Sequence, residues 1–325
     1  LHPDPCQPAG GVAAAIQRMR LRLHSLLTPA LLLGALLTAG AAPGPLLFVT
    51  IPPQRWLVQT LAGDAVQVEL MVAPGQDPHT FEPSGRQMAR LARAQGWLTI
   101  GLPFEGTLLA KARGACPDLK SFAVDQGIPR LGGHAHAGHD HSAAAEKHET
   151  CGAVHDGTDP HIWLAPRGML QMATNTCRVL QSLLPAEEAR LAAALAELTD
   201  KLIQLERELT GTLAPVAGKT FWVYHLSWAY FAKAFGLHQQ AVEQDGREPS
   251  ARQLARLIES ARADRVRVLF TDPHSNPGPV RTLARHLDAR VATLDPLAEV
   301  WPDNLRHVAT AIRGALQEPS DEPDN

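Results

Sequence analysis

Leucines stand at Leu191, Leu195, Leu198, Leu202, Leu205 and Leu209, three or four residues apart with charged residues between them. That is the period of an amphipathic α-helix, and the pattern runs from residue 186 to about 213. At 1.5 Å per residue such a helix is about 40 Å long, enough to run along two compact units rather than sit inside one. The chain's 325 residues are also more than one core ordinarily organises. We therefore expect two lobes joined by one long rigid helix.

Both flanks of this segment share one grammar. Before it, short apolar runs at 46–51, 66–72, 97–101 and 119–124 alternate with helix-like stretches at 55–62, 84–95 and 105–113. A further helix is expected over 166–184, opening on Pro166 and carrying Met169, Leu170, Ala173, Cys177, Leu180 and Leu184 on one face. After the long helix, strands at 220–224, 239–243, 266–270 and 290–294 alternate with helices at 227–235, 250–261 (capped by Ser250), 279–287 and 304–316. Alternation of this kind predicts an α/β fold of two similar lobes, each a mostly parallel sheet flanked by helices. The expected divisions are upstream residues and a signal peptide at 1–41, a first lobe at 42–185 that includes a histidine-rich loop at 132–157, a linker helix at 186–213, and a second lobe with a polar tail at 214–325.

The segment before residue 42 reads as a leader. Met19-Arg20-Leu21-Arg22 is a basic start, Leu26 to Leu37 is apolar, and Ala39-Gly40-Ala41 matches a small-residue cleavage site. The apolar run is shorter than the roughly 20 residues that span a bilayer. With no cysteine at the cleavage site, the expectation is a soluble, monomeric periplasmic protein. Cleavage after Ala41 leaves Cys116, Cys151 and Cys177, an odd set that does not describe a disulfide framework. A net charge of −3 without a basic block argues against nucleic-acid binding.

Histidine carries the chemistry. Asp-Pro-His occurs at Asp77-Pro78-His79, Asp159-Pro160-His161 and Asp272-Pro273-His274, and His134, His136, His139, His141, His148 and His155 crowd one loop. Neutral imidazole is the commonest protein ligand for borderline metals. His79, His225, His274 and Asp295 each follow a predicted strand, at the sheet edge where open α/β folds bind ligands. His161 directly precedes the helix that opens on Pro166. Any single histidine also reads as an ordinary hydrogen-bonding residue, and Asp295 as a turn starter or cap. His225, between Tyr224 and Leu226-Ser227-Trp228, is shielded and needs a partner. The histidine-rich loop has little to bury, so it reads as a solvated linker that binds divalent metals loosely.

Taken together, Pro74 to Ser84, Asp159-Pro160-His161-Ile162-Trp163-Leu164, His225 to Phe231, Gly246-Arg247-Glu248-Pro249-Ser250 and Leu294-Asp295-Pro296-Leu297 resemble the zinc-binding proteins of bacterial ABC uptake systems. These form the metal-specific branch of periplasmic solute-binding proteins. The resemblance covers Leu46 to about Leu316. It implies one Zn(II) in an interlobe cleft, held by His79, His161, His225 and Asp295, and delivery to an inner-membrane ABC permease with its cytoplasmic ATPase. His225, where manganese-type relatives carry a carboxylate, and the histidine-rich loop both favour zinc. The chain departs from the pattern at Asp272-Pro273-His274, where relatives have a proline-glutamine pair. His274 is thereby a candidate additional ligand, or a residue that hydrogen-bonds behind the site.

Two rival readings remain at this point. A secreted zinc hydrolase would need a carboxylate base, for which Glu82 and Glu243 are the candidates, but no His-Glu-x-x-His segment is present. A periplasmic zinc buffer would work through the histidine-rich loop alone. Manganese is the alternative cargo.

Overall fold

The computed structural model describes residues 44–317 apart from 116, 118, 133–157 and 244–247. The histidine-rich loop, Cys116 and Cys151 lie outside the described residues, as does the leader.

Two four-stranded sheets organise the rest, and every strand pairing in them is parallel. The first comprises β1 (Leu46–Val49), β2 (Gln67–Leu70), β3 (Gly96–Thr99) and β4 (Ser121–Ala123), in the order β2-β1-β3-β4. The second comprises β5 (Thr220–Val223), β6 (His238–Ala241), β7 (Val268–Thr271) and β8 (Arg290–Thr293), in the order β6-β5-β7-β8. The two orders are identical, so each sheet reverses its winding direction between its first and third strands. At such a reversal neighbouring loops part and leave a crevice beyond the strands' carboxyl ends.

Parallel sheets are covered on both faces, and the inner strands β1, β3, β5 and β7 are buried on both. In β1, Leu47 and Val49 point into the main core while Phe48 points into a second cluster with Met71, Trp97 and Leu108. In β5, Phe221 and Val223 join the main core, whereas Trp222 and Tyr224 join a cluster with Leu257, Leu269 and Leu283. The covering helices are α1 (Pro52–Ala62), α2 (Gly85–Leu91), α3 (Pro103–Ala115), α4 (Pro166–Leu183), α5 (Glu188–Leu213), α6 (Ala229–Ala234), α7 (Ala251–Ala263), α8 (Gly278–Leu287) and α9 (Trp301–Leu316). The halves share even a helix start. Glu82-Pro83-Ser84 and Glu248-Pro249-Ser250 each place a serine at an N-cap, with Gln87 or Gln253 completing a reciprocal capping box.

The long helix is α5, whose 26 residues span about 39 Å. Leu191, Leu198, Leu202, Leu205, Leu209 and Leu213 are buried along it, against α1 and α4 from the first half and α9 from the second. One main core therefore runs through both halves. Tryptophans tie the halves together again near the strand ends. Trp163 Nε1 donates to Pro296 O at 2.7 Å, Trp301 Nε1 donates to Trp163 O at 2.8 Å, and Trp56 stacks on Trp301 at 5.6 Å between ring centroids. Arg55 and Glu299 add an ion pair across the same seam.

Element ends differ modestly from the sequence reading. The helix expected over 84–95 is only Gly85–Leu91. The helix expected from 304 begins at Trp301, because Pro302 falls in the first turn, where its missing N–H costs nothing. Cys177 is buried, with its thiol 3.5 Å from Leu191 O. Among the described residues no helix is long and apolar enough to cross a membrane.

Candidate metal centre

Each Asp-Pro step near the strand ends folds into the same turn. The aspartate Oδ1 accepts the backbone N–H two residues on: His79 from Asp77 at 2.9 Å, His161 from Asp159 at 2.8 Å, His274 from Asp272 at 2.9 Å, and Leu297 from Asp295 at 2.8 Å. Proline holds its own φ and has no N–H to compete, so aspartate and the residue after proline set the turn. The repeated triplet is thus a device for presenting a histidine on stiff backbone.

His79, His161 and His225 meet. Their ring centroids lie 5.9 Å apart for His79 and His161, 4.8 Å for His79 and His225, and 5.3 Å for His161 and His225. One potential ligand atom from each lies within 4.8 Å of the others. His79 is exposed, on the loop between β2 and α2; His161 is buried; His225 is half-buried, two residues beyond β5. The group draws two members from the first half and one from the second.

Carboxylates orient the two shielded rings. Asp159 Oδ1 accepts from His161 Nδ1 at 2.7 Å, and Glu243 Oε1 pairs with His225 Nδ1. Each pairing leaves the other ring nitrogen for a ligand, and His225 Nε2 is buried with no hydrogen-bond partner. Burial lowers the pKa of His161 more than Asp159 raises it, which keeps that imidazole neutral. Burial also pulls His225 down, but the hydrogen bond and charge of Glu243 prevail and its pKa is raised.

The first half holds His161 with local precision. Its turn continues into the buried residues Ile162, Trp163 and Leu164, which lie against the start of α4. Gly168 makes that approach possible, since a Cβ there would stand 2.0 Å from Ile162 O. From the second half, Tyr230 on α6 donates its hydroxyl hydrogen to Asp159 O at 3.0 Å and accepts from Leu131 N at 3.0 Å.

Asp295 and His274 form a neighbouring pair rather than members of the close group. His274 Nε2 lies 3.4 Å from Asp295 Oδ1, and His274 Nδ1 is buried without a partner. The hydrogen bond to Asp295 raises the pKa of His274. Of the two candidate hydrolytic bases, Glu82 is exposed on the loop side and Glu243 is engaged by His225. Sequence reasoning missed the partner roles of Asp159, Glu243 and Tyr230. The Asp-Pro-His triplet itself carries the signal for Asp159, two residues before its histidine.

The corresponding crevice of the first sheet is filled by the protein itself. Beyond β1 and β3, Glu105 Oε2 accepts from the backbone N–H groups of Ile100 at 3.1 Å, Gly101 at 2.7 Å and Leu102 at 2.9 Å, while Oε1 pairs with Thr50. Gln54 closes the same place, accepting from Thr50 N at 2.9 Å and donating to Leu98 O at 3.0 Å.

Residues 47–315 match the family model described as zinc-uptake complex component A, periplasmic. A crystal structure of ZnuA superposes with a TM-score of 0.75 at 33% identity, covering 84% of this chain and all of that one. A zinc-bound ZnuA with residues 138–173 deleted gives the same score and identity, over 85% of this chain and 99% of that one. Among curated sequences, the zinc-binding lipoprotein AdcA of Streptococcus pneumoniae is 26% identical over 90% of this chain and 57% of its own length. The zinc-binding protein AdcA of Streptococcus pyogenes serotype M3 is 25% identical over 76% of this chain and 49% of its own. The chain thus spans about half the length of these curated relatives. A manganese-bound periplasmic protein from Candidatus Liberibacter asiaticus shares the fold at 19% identity, with a TM-score of 0.69 over 84% of this chain and all of that one. By a family match that takes in both sheets and the histidine group, the chain belongs to the ZnuA family, a class of metal solute-binding proteins that catalyse no reaction.

Proposed function

We propose that this protein captures Zn(II) at His79, His161 and His225 in the periplasm and delivers it to the permease of an ABC uptake complex. The observation that carries the reading is the convergence of three imidazoles from two halves, with potential ligand atoms within 4.8 Å of one another. A tetrahedral zinc with bonds of about 2.0–2.1 Å holds its nitrogens roughly 3.4 Å apart, so each ring needs a shift of less than about 1 Å. The partnerless Nε2 of His225 also calls for an occupant, since a buried polar atom without one is costly.

Nitrogen donors favour zinc over manganese, which prefers oxygen. The remaining position belongs to the second half's other strand ends, where Asp295 and His274 stand as a pair. Because the ligands come from both halves, release follows when the permease draws the halves apart. The family's description as an uptake-complex component supports such a partner, and the leader-like segment before residue 42 supports export.

Element analysis of protein purified without added metal, followed by competitive titration with zinc and manganese, tests this. One tightly held zinc per chain is expected, lost in H79A, H161A and H225A and kept when residues 134–155 are deleted. Wild-type affinity in the three histidine variants, or preference for manganese, rejects it.

A further inference from the structure

Asp295 does for His274 what Asp159 does for His161. One oxygen of Asp159 takes the N–H of its own turn at 2.8 Å and the ring nitrogen of His161 at 2.7 Å. One oxygen of Asp295 takes the N–H of Leu297 at 2.8 Å and faces His274 Nε2 at 3.4 Å. Glu243 backs His225 in the same sense. Three imidazoles are thus each turned by a carboxylate on one nitrogen, the arrangement that orients metal-bound histidines and sets their tautomer. In His225 and His274 the opposite nitrogen is buried without a partner.

Location agrees with this likeness. β5 and β7 are neighbours, and the second sheet reverses its winding between them. His225 follows one and His274 the other, so both lie at the crevice where such sheets bind ligands. The side chain of His274 is only 9% exposed, too buried for a solvated surface imidazole. The loop carrying Asp295 is bolted to the first half through Pro296 and Trp163, so it supports His274 from a fixed position.

Resting on the zinc reading above, we propose that His274 is the fourth ligand and that Asp295 is its outer partner, making the site one of four imidazoles. His274 stands outside the three donors that lie within 4.8 Å of one another, and it completes the shell by turning toward the ion while Asp295 stays in place. An all-nitrogen shell excludes manganese more strongly than one closed by a carboxylate.

X-ray absorption fine structure at the zinc edge counts imidazoles by scattering from the outer ring atoms. Four are expected in the wild type, three in H274Q and four in D295N. Three imidazoles in the wild type, unchanged in H274Q, overturn the proposal. Chelator competition supplies a second readout: D295N is expected to weaken zinc by about 10–100-fold, as loss of an outer partner does, and H274Q to weaken it further. The reverse order overturns the assignment. A wild type that takes up no zinc at one per chain brings down the underlying reading, and this one with it; tight uptake with only three imidazoles removes this one alone.

Discussion

Asp159 receives two hydrogen bonds from His161 through a single oxygen, one from the backbone N–H at 2.8 Å and one from the ring at 2.7 Å. The ring is therefore positioned by the same group that shapes its turn. Removing the charge while keeping the shape separates these effects. D159N is expected to weaken metal binding by about 10–100-fold with little change in melting temperature of the metal-free protein. Isothermal titration beside a thermal melt checks this, and unchanged affinity would show that the backbone alone aims the ring.

The pairing of Glu243 with His225 has a signed consequence for pH. Metal requires the neutral imidazole, and Glu243 raises the pKa of His225 above its ordinary 6.5, so protons compete there at higher pH than at an unassisted histidine. E243Q is expected to move the acid limb of the zinc-affinity profile to lower pH while lowering its plateau. For folding of the metal-free protein the sign is opposite. The pair's stabilisation is fully present below the ordinary value and is lost as pH rises through the raised one. An acid limb that stays in place in E243Q would refute the account.

Glu105 makes a second pH dependence, remote from the histidines. Burial pushes its carboxyl up to about 7, against the pull of Thr50 and the three backbone N–H groups. A carboxyl raised on folding stabilises fully below its unfolded value and loses that contribution as pH climbs through the folded one. The shift corresponds to a loss on the order of 3 kcal/mol between about pH 4.5 and 7. In chemical denaturation across that window, E105Q is expected to flatten the decline. Parallel profiles for the two proteins would mean that Glu105 remains ionised in the fold.

Gly168 supplies a steric test. A Cβ there meets Ile162 O at 2.0 Å, so G168A must push the turn after His161 away from α4. Overpacking of this kind costs about 1–3 kcal/mol, and the displaced turn should weaken zinc at the same time. Loss of stability with wild-type affinity would show that His161 is insulated from α4.

Local pattern made much of this protein legible in advance. The leucine period of α5, the alternation of short strand-like and helix-like segments and the serine cap before α7 are properties of consecutive residues, and they specify two α/β halves on one helix. His79, His161 and His225 were recognisable because the first two sit in a repeated turn triplet and the third in an apolar strand end.

Tertiary structure decided which groups face one another. Glu243 meets His225 because β5 and β6 pair with Val223 opposite Ala241, leaving both residues two positions beyond the paired ends. Asp295 meets His274 because β7 and β8 pair with Thr271 opposite Thr293. Register is set by packing between segments distant in sequence, where one residue of slip reverses every side chain. The sequence alone thus named the histidines, their scaffold and, within its own triplet, Asp159, whereas Glu243 and Asp295 were matched to their histidines only once the sheets were aligned.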